Sequence, residues 1–298
     1  MFPYFDLHCD TLVAAYDKSS NIYNDKLYAS ISKLKHASPY IQIASIWSDY
    51  RLSSNEAFSK ALNVISFAKN QNIEITTNLN HSISQAYILG IEDARILEYD
   101  LSRIDTLYSL GIRVITLNWK DASCIGGGWN TEIGLTDFGK EVIKKCASLG
   151  IIVDLSHSSS KVFYDTLALS DRLAFVPIAS HSNSFSICSH KRNLTDFQLK
   201  SLFDIKSIVG ISLVGEHLGQ NPTINTIISH IEHIFRLGGE RCLCLGCDLD
   251  GTDSLPIGIS SVEDIYKLYD IICDYFGNNL AKRIFFLNAY DFFKAKLK

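Results

Sequence analysis

The segment Phe5-Asp6-Leu7-His8-Cys9-Asp10-Thr11 is the most informative part of the chain, because it places two polar side chains at the end of a short apolar strand. Side chains alternate between the two faces of a strand, so His8 and Asp10 share one face and together are able to bind a single cation. A His–Asp pair in a half-buried strand is more often a hydrogen-bonded structural pair. We nevertheless expect the first strand to contribute to a functional site, because the rest of the chain repeats the pattern.

Short apolar segments alternate with longer amphipathic segments through nearly the whole chain, which is typical of β-strands followed by α-helices. The predicted strands cover residues 4–8, 41–47, 87–92, 112–118, 151–157, 174–181, 207–214 and 242–248. The predicted helices cover residues 55–69, 97–110, 136–149, 159–169, 195–203, 223–237 and 262–275, and a last helical region covers residues 280–298. Eight strand-then-helix units at fairly even spacing favour a parallel sheet.

Closure of eight parallel strands into a single (β/α)8 barrel of the TIM type is the simplest arrangement of these units. A doubly wound open sheet is the alternative, but it should have a glycine-rich turn after its first strand, and Asp10-Thr11-Leu12-Val13 contains no glycine. Five prolines and no low-complexity tract indicate one domain over residues 1–298. We therefore predict an α/β fold with its site at the carboxyl ends of the barrel strands.

The composition excludes several classes of protein. A chain of 298 residues with 47% hydrophobic residues is able to bury a large core, and a net charge of −4 offers no basic stripe for nucleic acid. The apolar runs are too short to span a bilayer, and the first strand begins too early for a leader, so we expect neither. Eight cysteines in such a chain predict reduced thiols and a cytoplasmic location.

Polar side chains recur where the predicted strands end. In a barrel these ends meet at one rim, and three imidazoles with several carboxylates suit zinc. Two cations would share five ligands, with Glu92 as the bridge because it is the sole acid at its strand end. Paired metals lower the pKa of a shared water and polarise a carbonyl, which is chemistry that hydrolyses amides. The candidate ligands are His8, Asp10, Glu92, His157 and His181, and Asp154, Asp248 and Asp250 stand at the same strand ends.

Each of these residues also has a structural interpretation. His157 and His181 have serine neighbours and could cap the helices that follow them. Asp248-Leu249-Asp250-Gly251 resembles the beginning of a calcium loop, although the remaining ligand positions of that loop are missing. Coincidence at four strand ends of a barrel favours the metal site over separate structural roles.

The chain also resembles the zinc-dependent membrane (renal) dipeptidase family of the amidohydrolase superfamily. Its matching segments occur in family order from residue 6 to residue 251, and a closing helix over residues 279–293 extends the resemblance to essentially the whole chain. The matching segments are Asp6-Leu7-His8-Cys9-Asp10-Thr11-Leu12, Gly90-Ile91-Glu92, residues 134–140, residues 152–158, residues 177–182, Lys191-Arg192-Asn193 and residues 246–251.

This resemblance implies a (β/α)8 barrel that binds two zinc ions per chain. His8 and Asp10 would hold one zinc, His157 and His181 the other, and Glu92 would bridge them. The implied reaction is hydrolysis of the peptide bond of dipeptides by a hydroxide that bridges the metals.

The resemblance also implies roles for residues that bind the substrate and transfer protons. Arg192 would bind the free carboxylate of a dipeptide, for which its planar guanidinium is better suited than a lysine. Asp248 would relay a proton from the bridging water to the leaving amine. The family further suggests a homodimer.

Trp119 departs from the family pattern. It stands at the end of a strand where the family commonly has a histidine that contacts the substrate, and Lys120 follows it. An indole donates one N–H and has no charge, so oxyanion stabilisation is weaker, comes from zinc and Lys120, or serves a different substrate. We expect Trp119 to contact the substrate; the alternative is an aromatic residue at the rim that packs on the loop over residues 126–129.

The sequence supports three hypotheses of function. The main one is a zinc dipeptidase. A second is another amidohydrolase reaction on the same barrel, such as hydrolysis of a cyclic amide or an N-acyl amino acid, because a fold does not fix the substrate. A third is a metal-binding protein without catalysis, against which the full set of predicted ligands together with Asp248 argues.

Overall fold

A curled sheet of parallel strands forms the centre of the protein, in a computed structural model that describes residues 2–80 and 83–297. Its strands are β1 (Phe2–Cys9), β2 (Ala37–Ile46), β3 (Gln85–Glu92), β4 (Ile112–Thr116), β5 (Ile152–Asp154), β6 (Val209–Ile211) and β7 (Leu243–Leu245). They lie in the order β5-β4-β3-β2-β1-β7-β6, and each neighbouring pair is parallel. Parallel pairing directs the carboxyl end of each of these strands to the same rim.

The predicted strand over residues 174–181 is reduced to two bridged residues that close the ring. Ile178 bridges to Asp154 of β5, and Ala179 bridges to Val209 of β6. This segment is short because Pro177 has no N–H to donate to a ladder and the Ser180 N–H donates to the Asp154 carboxylate instead, at 2.8 Å. The predicted barrel of the TIM type is therefore confirmed, with eight positions around the ring of which one is irregular.

The helices surround the sheet. They are α1 (Thr11–Asp17), α2 (Ser54–Lys69), α3 (Ser102–Leu110), α4 (Asp137–Leu149), α5 (Ser160–Leu173), α6 (Asp196–Asp204), α7 (Gly215–Leu218), α8 (Ile224–Arg236), α9 (Val262–Phe276), α10 (Asn278–Lys282) and α11 (Asn288–Lys296). Lys33–His36 and Ala94–Leu97 form 3-10 turns, and the π-helical turn Arg283–Leu287 joins α10 to α11.

Most predicted helices agree with the structure to within a few residues. The helix predicted over residues 97–110 begins later, at Ser102, because the 3-10 turn and the left-handed Glu98 and Tyr99 precede it. The seven residues of α1 were missed, since two turns are too short to show a helical period.

Two apolar clusters stabilise this arrangement. The larger one packs the helices against the outside of the sheet. The smaller one joins alternate strand residues such as Phe5, Leu7 and Ile43 with the aromatic side chains of the C-terminal helical segment, and the Phe5 and Phe293 rings lie 5.3 Å apart. This packing fills the interior beneath the carboxyl rim of the strands. In the described ranges no helix is both long and apolar enough to cross a membrane.

Candidate metal centre

The five residues predicted as metal ligands lie together at the carboxyl rim. His8 is near the end of β1, Asp10 directly precedes α1, Glu92 is the last residue of β3, and His157 and His181 follow β5 and the bridged segment. All five side chains are buried. The predicted pairing of His8 with Asp10 is present, with 3.4 Å between His8 Nε2 and an Asp10 carboxylate oxygen.

Glu92 lies between two groups of histidines. Its Oε2 is 3.3 Å from His8 Nε2, whereas its Oε1 is 3.0 Å from His157 Nε2 and 3.9 Å from His181 Nε2. Each oxygen therefore faces a different group. Candidate ligand atoms within 4.8 Å of one another form the sets His8–Asp10–Glu92 and Glu92–His157–His181, and Glu92 belongs to both. A carboxylate shared in this way is the arrangement that a bridging ligand requires.

Hydrogen bonds fix the tautomer of His181. The Ser180 hydroxyl donates to Asp154 at 2.6 Å and lies 2.8 Å from His181 Nδ1. Because the hydroxyl proton points to Asp154, Ser180 Oγ accepts from His181 Nδ1–H, and Nε2 of the neutral ring keeps a lone pair directed into the cluster. Burial holds the pKa of His181 well below its usual value, which keeps the ring neutral.

Charge is shared unevenly among the other two imidazoles. Burial lowers the pKa of His157 to about 4, and the nearby Arg192 guanidinium adds to this effect. Burial would also lower the pKa of His8, but the carboxylates of Glu92 and Asp10 outweigh it and raise the pKa well above the usual value. Without a metal, the cluster thus favours a proton on His8 beside two carboxylates. A metal cation would take the place of this proton.

The donor set fits a metal ion on the evidence of its own geometry. The Nε2 atoms of His157 and His181 face each other at 2.8 Å, and His8 Nε2 is buried without a hydrogen-bond partner in the described chain. A buried imidazole nitrogen without a partner, such as His8 Nε2, costs free energy, and a cation bound among these three nitrogens would replace the protons that they hold. Imidazole nitrogens with carboxylate oxygens are ligands that zinc accepts.

Asp248 completes the rim beside this cluster. Its Oδ1 is 3.9 Å from His8 Nε2, and its backbone N–H donates to the His8 carbonyl at 3.0 Å. Burial, together with the carboxylates of Asp10 and Glu92, raises the pKa of Asp248 to about 8. Asp250, at the same strand end, instead accepts from Thr11 Oγ1 at 2.6 Å and from two backbone N–H groups of residues 28 and 29, so it anchors the surrounding loops.

Arg192 lies next to the cluster in a separate cavity. Its Nη2 donates to the His181 carbonyl at 2.9 Å, and its Nε is buried without a partner among the residues described. The side chain is 4% exposed, and burial lowers its pKa to about 10. Arg192 and Lys191 line a cavity of about 160 Å³ that also reaches His157. Arg192, which the sequence analysis named as a candidate substrate-binding residue, thus lies with its guanidinium beside the candidate metal centre.

Trp119 lies on the opposite side of the centre, in a cavity of about 250 Å³. Its ring is 6.3 Å from the His157 ring and 5.3 Å from the Trp47 ring, and it stacks on Tyr50 at 6.0 Å. Trp129, from the glycine-rich loop, packs on His190 instead. Substrate contact by Trp119, and its alternative of packing on that loop, both stay predictions.

Several residues of the site were not found from the sequence. Ser45 lies 3.1 Å from His8 Nδ1, and Ser180 and Thr116 both donate to Asp154, the acid predicted at this strand end, in one hydrogen-bonded group that supports His181. Ser180 directly precedes His181, which was the one available signal. Residues 47–54 were predicted as a loop over the barrel mouth, but the contact of Trp47 with Trp119 depends on how β2 and β4 are arranged around the ring.

Comparison with known proteins gives a family and two curated relatives. The model of the membrane dipeptidase family, peptidase family M19, matches residues 1–294. An uncharacterised protein of Acinetobacter calcoaceticus, from the PQQ-III 3′ region, is 35% identical over 163 residues, which is 50% of this chain and 51% of that protein. An uncharacterised dipeptidase of Schizosaccharomyces pombe is 33% identical over 199 residues, which is 63% of this chain and 46% of that protein. The matches thus span about half the length of these relatives.

Solved structures resemble the whole chain. A metallo peptidase from Rhodobacter sphaeroides, crystallised with a phosphinate mimic of the dipeptide L-Ala-D-Ala, has a TM-score of 0.90 at 20% identity, covering 100% of this chain and 99% of its own. The dipeptidase AC, a metallo peptidase of family M19, has a TM-score of 0.89 at 21% identity and covers 99% of both chains. At these identities the likeness establishes the fold.

Proposed function

Since this chain belongs to the membrane dipeptidase family, peptidase family M19, we propose that it is a metal-dependent hydrolase that cleaves dipeptides. The observation that carries this proposal is Glu92, whose two carboxylate oxygens face His8 on one side and His157 on the other. A shared carboxylate between two groups of ligands suits a pair of metal ions about 3.5–4 Å apart.

We propose two zinc ions as the cofactor. His8 and Asp10 would hold one ion, His157 and His181 the other, and Glu92 would bridge them. When bound, such a pair supplies a hydroxide from a bridging water and polarises the scissile carbonyl. Ser45 and Ser180 would keep the imidazole rings in the orientation that the ligands need.

Asp248 is proposed to move the proton. It lies beside His8, close enough to the centre to accept a proton from the attacking water and to donate it to the departing amine. Arg192 is proposed to bind the substrate carboxylate, because its unpaired Nε–H faces no protein acceptor in the described chain. Trp119 would contact the substrate on the opposite side.

The test of this proposal is hydrolysis of a panel of free dipeptides by protein loaded with zinc and by protein treated with chelator. The panel includes L-Ala-L-Ala and L-Ala-D-Ala, since a mimic of the latter binds the Rhodobacter sphaeroides metallo peptidase. We expect turnover that is lost with the metal and returns with about two zinc per chain. Full activity after complete removal of metal would refute the mechanism.

Arg192 is tested with substrates that lack the carboxylate. We expect Arg192→Ala to lower kcat/KM for free dipeptides, chiefly through KM, and wild-type protein to be much slower on the C-terminally amidated forms. Because Arg192 also donates to the His181 carbonyl, the zinc content of the variant is measured alongside. Equal activity of the wild type on free and amidated dipeptides would contradict the role of Arg192.

A second candidate is a different amidohydrolase reaction, favoured by Trp119 at a position where the family commonly has a histidine. Cyclic amides and N-acylated amino acids belong in the same panel for this reason, and their preferential hydrolysis would replace the dipeptidase proposal. Zinc binding without turnover of any amide would support a non-catalytic protein.

We also propose a cytoplasmic location and a homodimer. The eight cysteines are free thiols, most of them buried, which agrees with a reducing compartment. The homodimer stays a prediction from the family resemblance, and light scattering of the purified protein measures it.

A further inference from the structure

Three aromatic rings lie beside the candidate metal centre. The proposed function gives one of them, Trp119, an unspecified contact with the substrate and gives the other two no role. Trp119 lies 5.3 Å from Trp47 and stacks on Tyr50 at 6.0 Å with an angle of 17° between the two planes. We call Trp47, Tyr50 and Trp119 the aromatic wall. Trp47 and Trp119 line the cavity of about 250 Å³, together with the small apolar side chains of Val13 and Ala14 from α1. Tyr50 is 64% exposed and lies at the outer edge.

The two cavities beside the centre differ in charge. The smaller one contains Lys191 and Arg192 with a single carboxylate, that of Glu132. The larger one contains five carboxylates and neither lysine nor arginine among its lining residues. Both reach His157, so a substrate bound at the centre would extend into each of them. A dipeptide carries a carboxylate at one end and an ammonium at the other, and electrostatic complementarity orients it with its C-terminal residue near Arg192.

We propose that the aromatic wall is the subsite for the side chain of the N-terminal residue, and that it selects dipeptides with a bulky apolar, above all aromatic, N-terminal residue. This inference rests on the proposed dipeptidase function. With the carboxylate at Arg192, the N-terminal residue lies on the side of the larger cavity, where its side chain meets Trp119 and Trp47.

The dimensions of the cavity agree with a ring. An apolar cavity of about 150 Å³ in another protein binds benzene, so about 250 Å³ leaves room for a ring and the backbone atoms attached to it. The Trp119 and His157 ring centres are 6.3 Å apart. The side chain of a residue bound at the metal centre would therefore reach the aromatic wall. Aromatic rings attract one another in stacked and edge-to-face geometries at such distances.

Trp47, which lines this cavity, also carries a buried donor. Trp47 Nε1 is buried and has no hydrogen-bond acceptor in the part of the chain that the structure describes. An unpaired buried N–H costs free energy, and a substrate oxygen that reached it would recover that cost. Trp47 therefore offers both an apolar face and one polar contact, as pockets for small ligands commonly do.

The experiment measures kcat/KM of the zinc-loaded protein for L-Phe-L-Ala, L-Ala-L-Ala and L-Ala-L-Phe. We expect L-Phe-L-Ala to exceed L-Ala-L-Ala by about ten-fold or more, with no comparable gain for L-Ala-L-Phe. Trp119→Ala should reduce this preference about ten-fold, whereas Trp119→Phe should keep most of it. Tyr275→Ala, which removes an exposed ring from α9, is the matched control and should leave all three values unchanged.

Binding provides a readout that does not depend on turnover. Calorimetry with phosphinate mimics of Phe-Ala and Ala-Ala should show the same preference in Kd and its loss in Trp119→Ala. Tyr50→Ala removes an exposed ring at the edge of the wall, so it keeps the proposal testable if Trp119→Ala does not fold, and it should lower the preference two- to three-fold.

The outcomes separate this inference from the proposed function. Hydrolysis of dipeptides without a preference for L-Phe-L-Ala, or with a preference that Trp119→Ala leaves unchanged, would overturn the inference and leave the dipeptidase proposal standing. No hydrolysis of any dipeptide by zinc-loaded protein would overturn the proposed function, and the inference with it.

Discussion

At the scale of single residues, the rim depends on backbone conformations that few side chains adopt. His157 and Asp248 have φ values of 68° and 60°, in the left-handed region that is uncommon for residues other than glycine. They are two of ten non-glycine residues with positive φ in the described chain, and at a strand end such a conformation directs the side chain into the site at a cost in stability.

Asp248→Asn tests the proposed proton transfer at this scale. Asparagine has nearly the same shape but cannot take up and release a proton, so we expect kcat to fall about 10²- to 10⁴-fold with little change in zinc content. Asp253→Asn is the control, because Asp253 is an exposed acid of the same loop. Near-normal turnover by Asp248→Asn would assign the proton transfer to another group.

Gly251→Ala tests how closely the loops approach the centre. A Cβ at this position would meet carboxylate oxygens of both Asp10 and Asp248, so the two side chains would have to move. We expect zinc affinity and kcat/KM to fall about ten-fold or more, as for other groups that orient ligands. Titration of the metal-free protein measures the affinity, with Asp253→Ala from the same loop as the control; an unchanged affinity would show that the loop has room to relax.

At the scale of secondary-structure elements, Asp154 joins β5 to its neighbours and to the bridged segment. Its buried carboxylate accepts hydrogen bonds from Thr116 Oγ1 at 2.7 Å, from Ser180 Oγ at 2.6 Å and from the N–H groups of Ser156 and Ser180. The ring of strands is irregular at this point. The Asp154 carboxylate accepts from backbone N–H groups that would donate to a neighbouring strand in a continuous ladder.

Asp154→Asn should change the orientation of a proposed ligand. An asparagine N–H₂ would donate to Ser180 Oγ, which would then donate to His181 Nδ1 and move the ring proton to Nε2, where zinc is proposed to bind. We expect zinc affinity to fall 10- to 100-fold and the free energy of unfolding to fall by about 1–3 kcal/mol. Zinc titration and urea unfolding measure both, and Asp171→Asn, at an exposed position of α5, should change neither.

His230, on α8, makes the stability of the fold depend on pH. Its Nδ1 accepts from the Ser184 N–H at 3.2 Å and its Nε2 donates to the Leu218 carbonyl at 3.1 Å, so the fold requires the neutral ring. Burial lowers its pKa, and His233 on the same helix adds to this shift. The unfolded state takes up this proton below about pH 6.5, so the contribution of His230 is complete above that pH and is lost as the pH falls.

His230→Asn should therefore unfold with a weaker dependence on pH than the wild type. Between pH 7.5 and 5.5 we expect the wild type to lose up to about 1.4 kcal/mol more of its free energy of unfolding than the variant. Urea unfolding at several pH values measures the difference. Parallel pH profiles for the two proteins would show that another group titrates.

At the scale of the whole molecule, the candidate metal centre connects strands from both halves of the ring. A cation bound there would stabilise the folded state, because the ligands are brought together only by folding. We expect zinc at about 100 times its Kd to add about 2.7 kcal/mol to the free energy of unfolding and to raise Tm by several degrees. Scanning calorimetry with and without chelator measures this shift.

The same experiment tests the prediction of a single domain over residues 1–298. One domain should give one transition that moves as a unit when zinc is added, and two separate transitions would contradict it. His181→Ala should have a smaller rise in Tm with zinc, whereas His36→Ala, at an exposed position in a 3-10 turn, should keep the full rise. A Tm that does not respond to zinc would count against the metal centre.

The alternation of strands and helices, and the polar residues at the strand ends, follow from the amino-acid order alone, because both are encoded in local periodicity. His8, Glu92 and His157 could be proposed as neighbours without coordinates, since parallel strands of a barrel bring their carboxyl ends to one rim. The irregular position at Ile178 and Ala179 could not be foreseen, because it depends on hydrogen bonds between segments distant in the chain.

Folding in three dimensions was needed to establish which oxygen of Glu92 faces which histidine and which hydroxyl fixes the tautomer of His181. It was also needed to bring Trp47 and Tyr50 against Trp119. These relations join side chains from different strand ends, so they exist only once the ring has closed. A pattern along the chain places a residue on a face or at an edge, whereas distances across the mouth of a barrel are set by packing of the whole molecule.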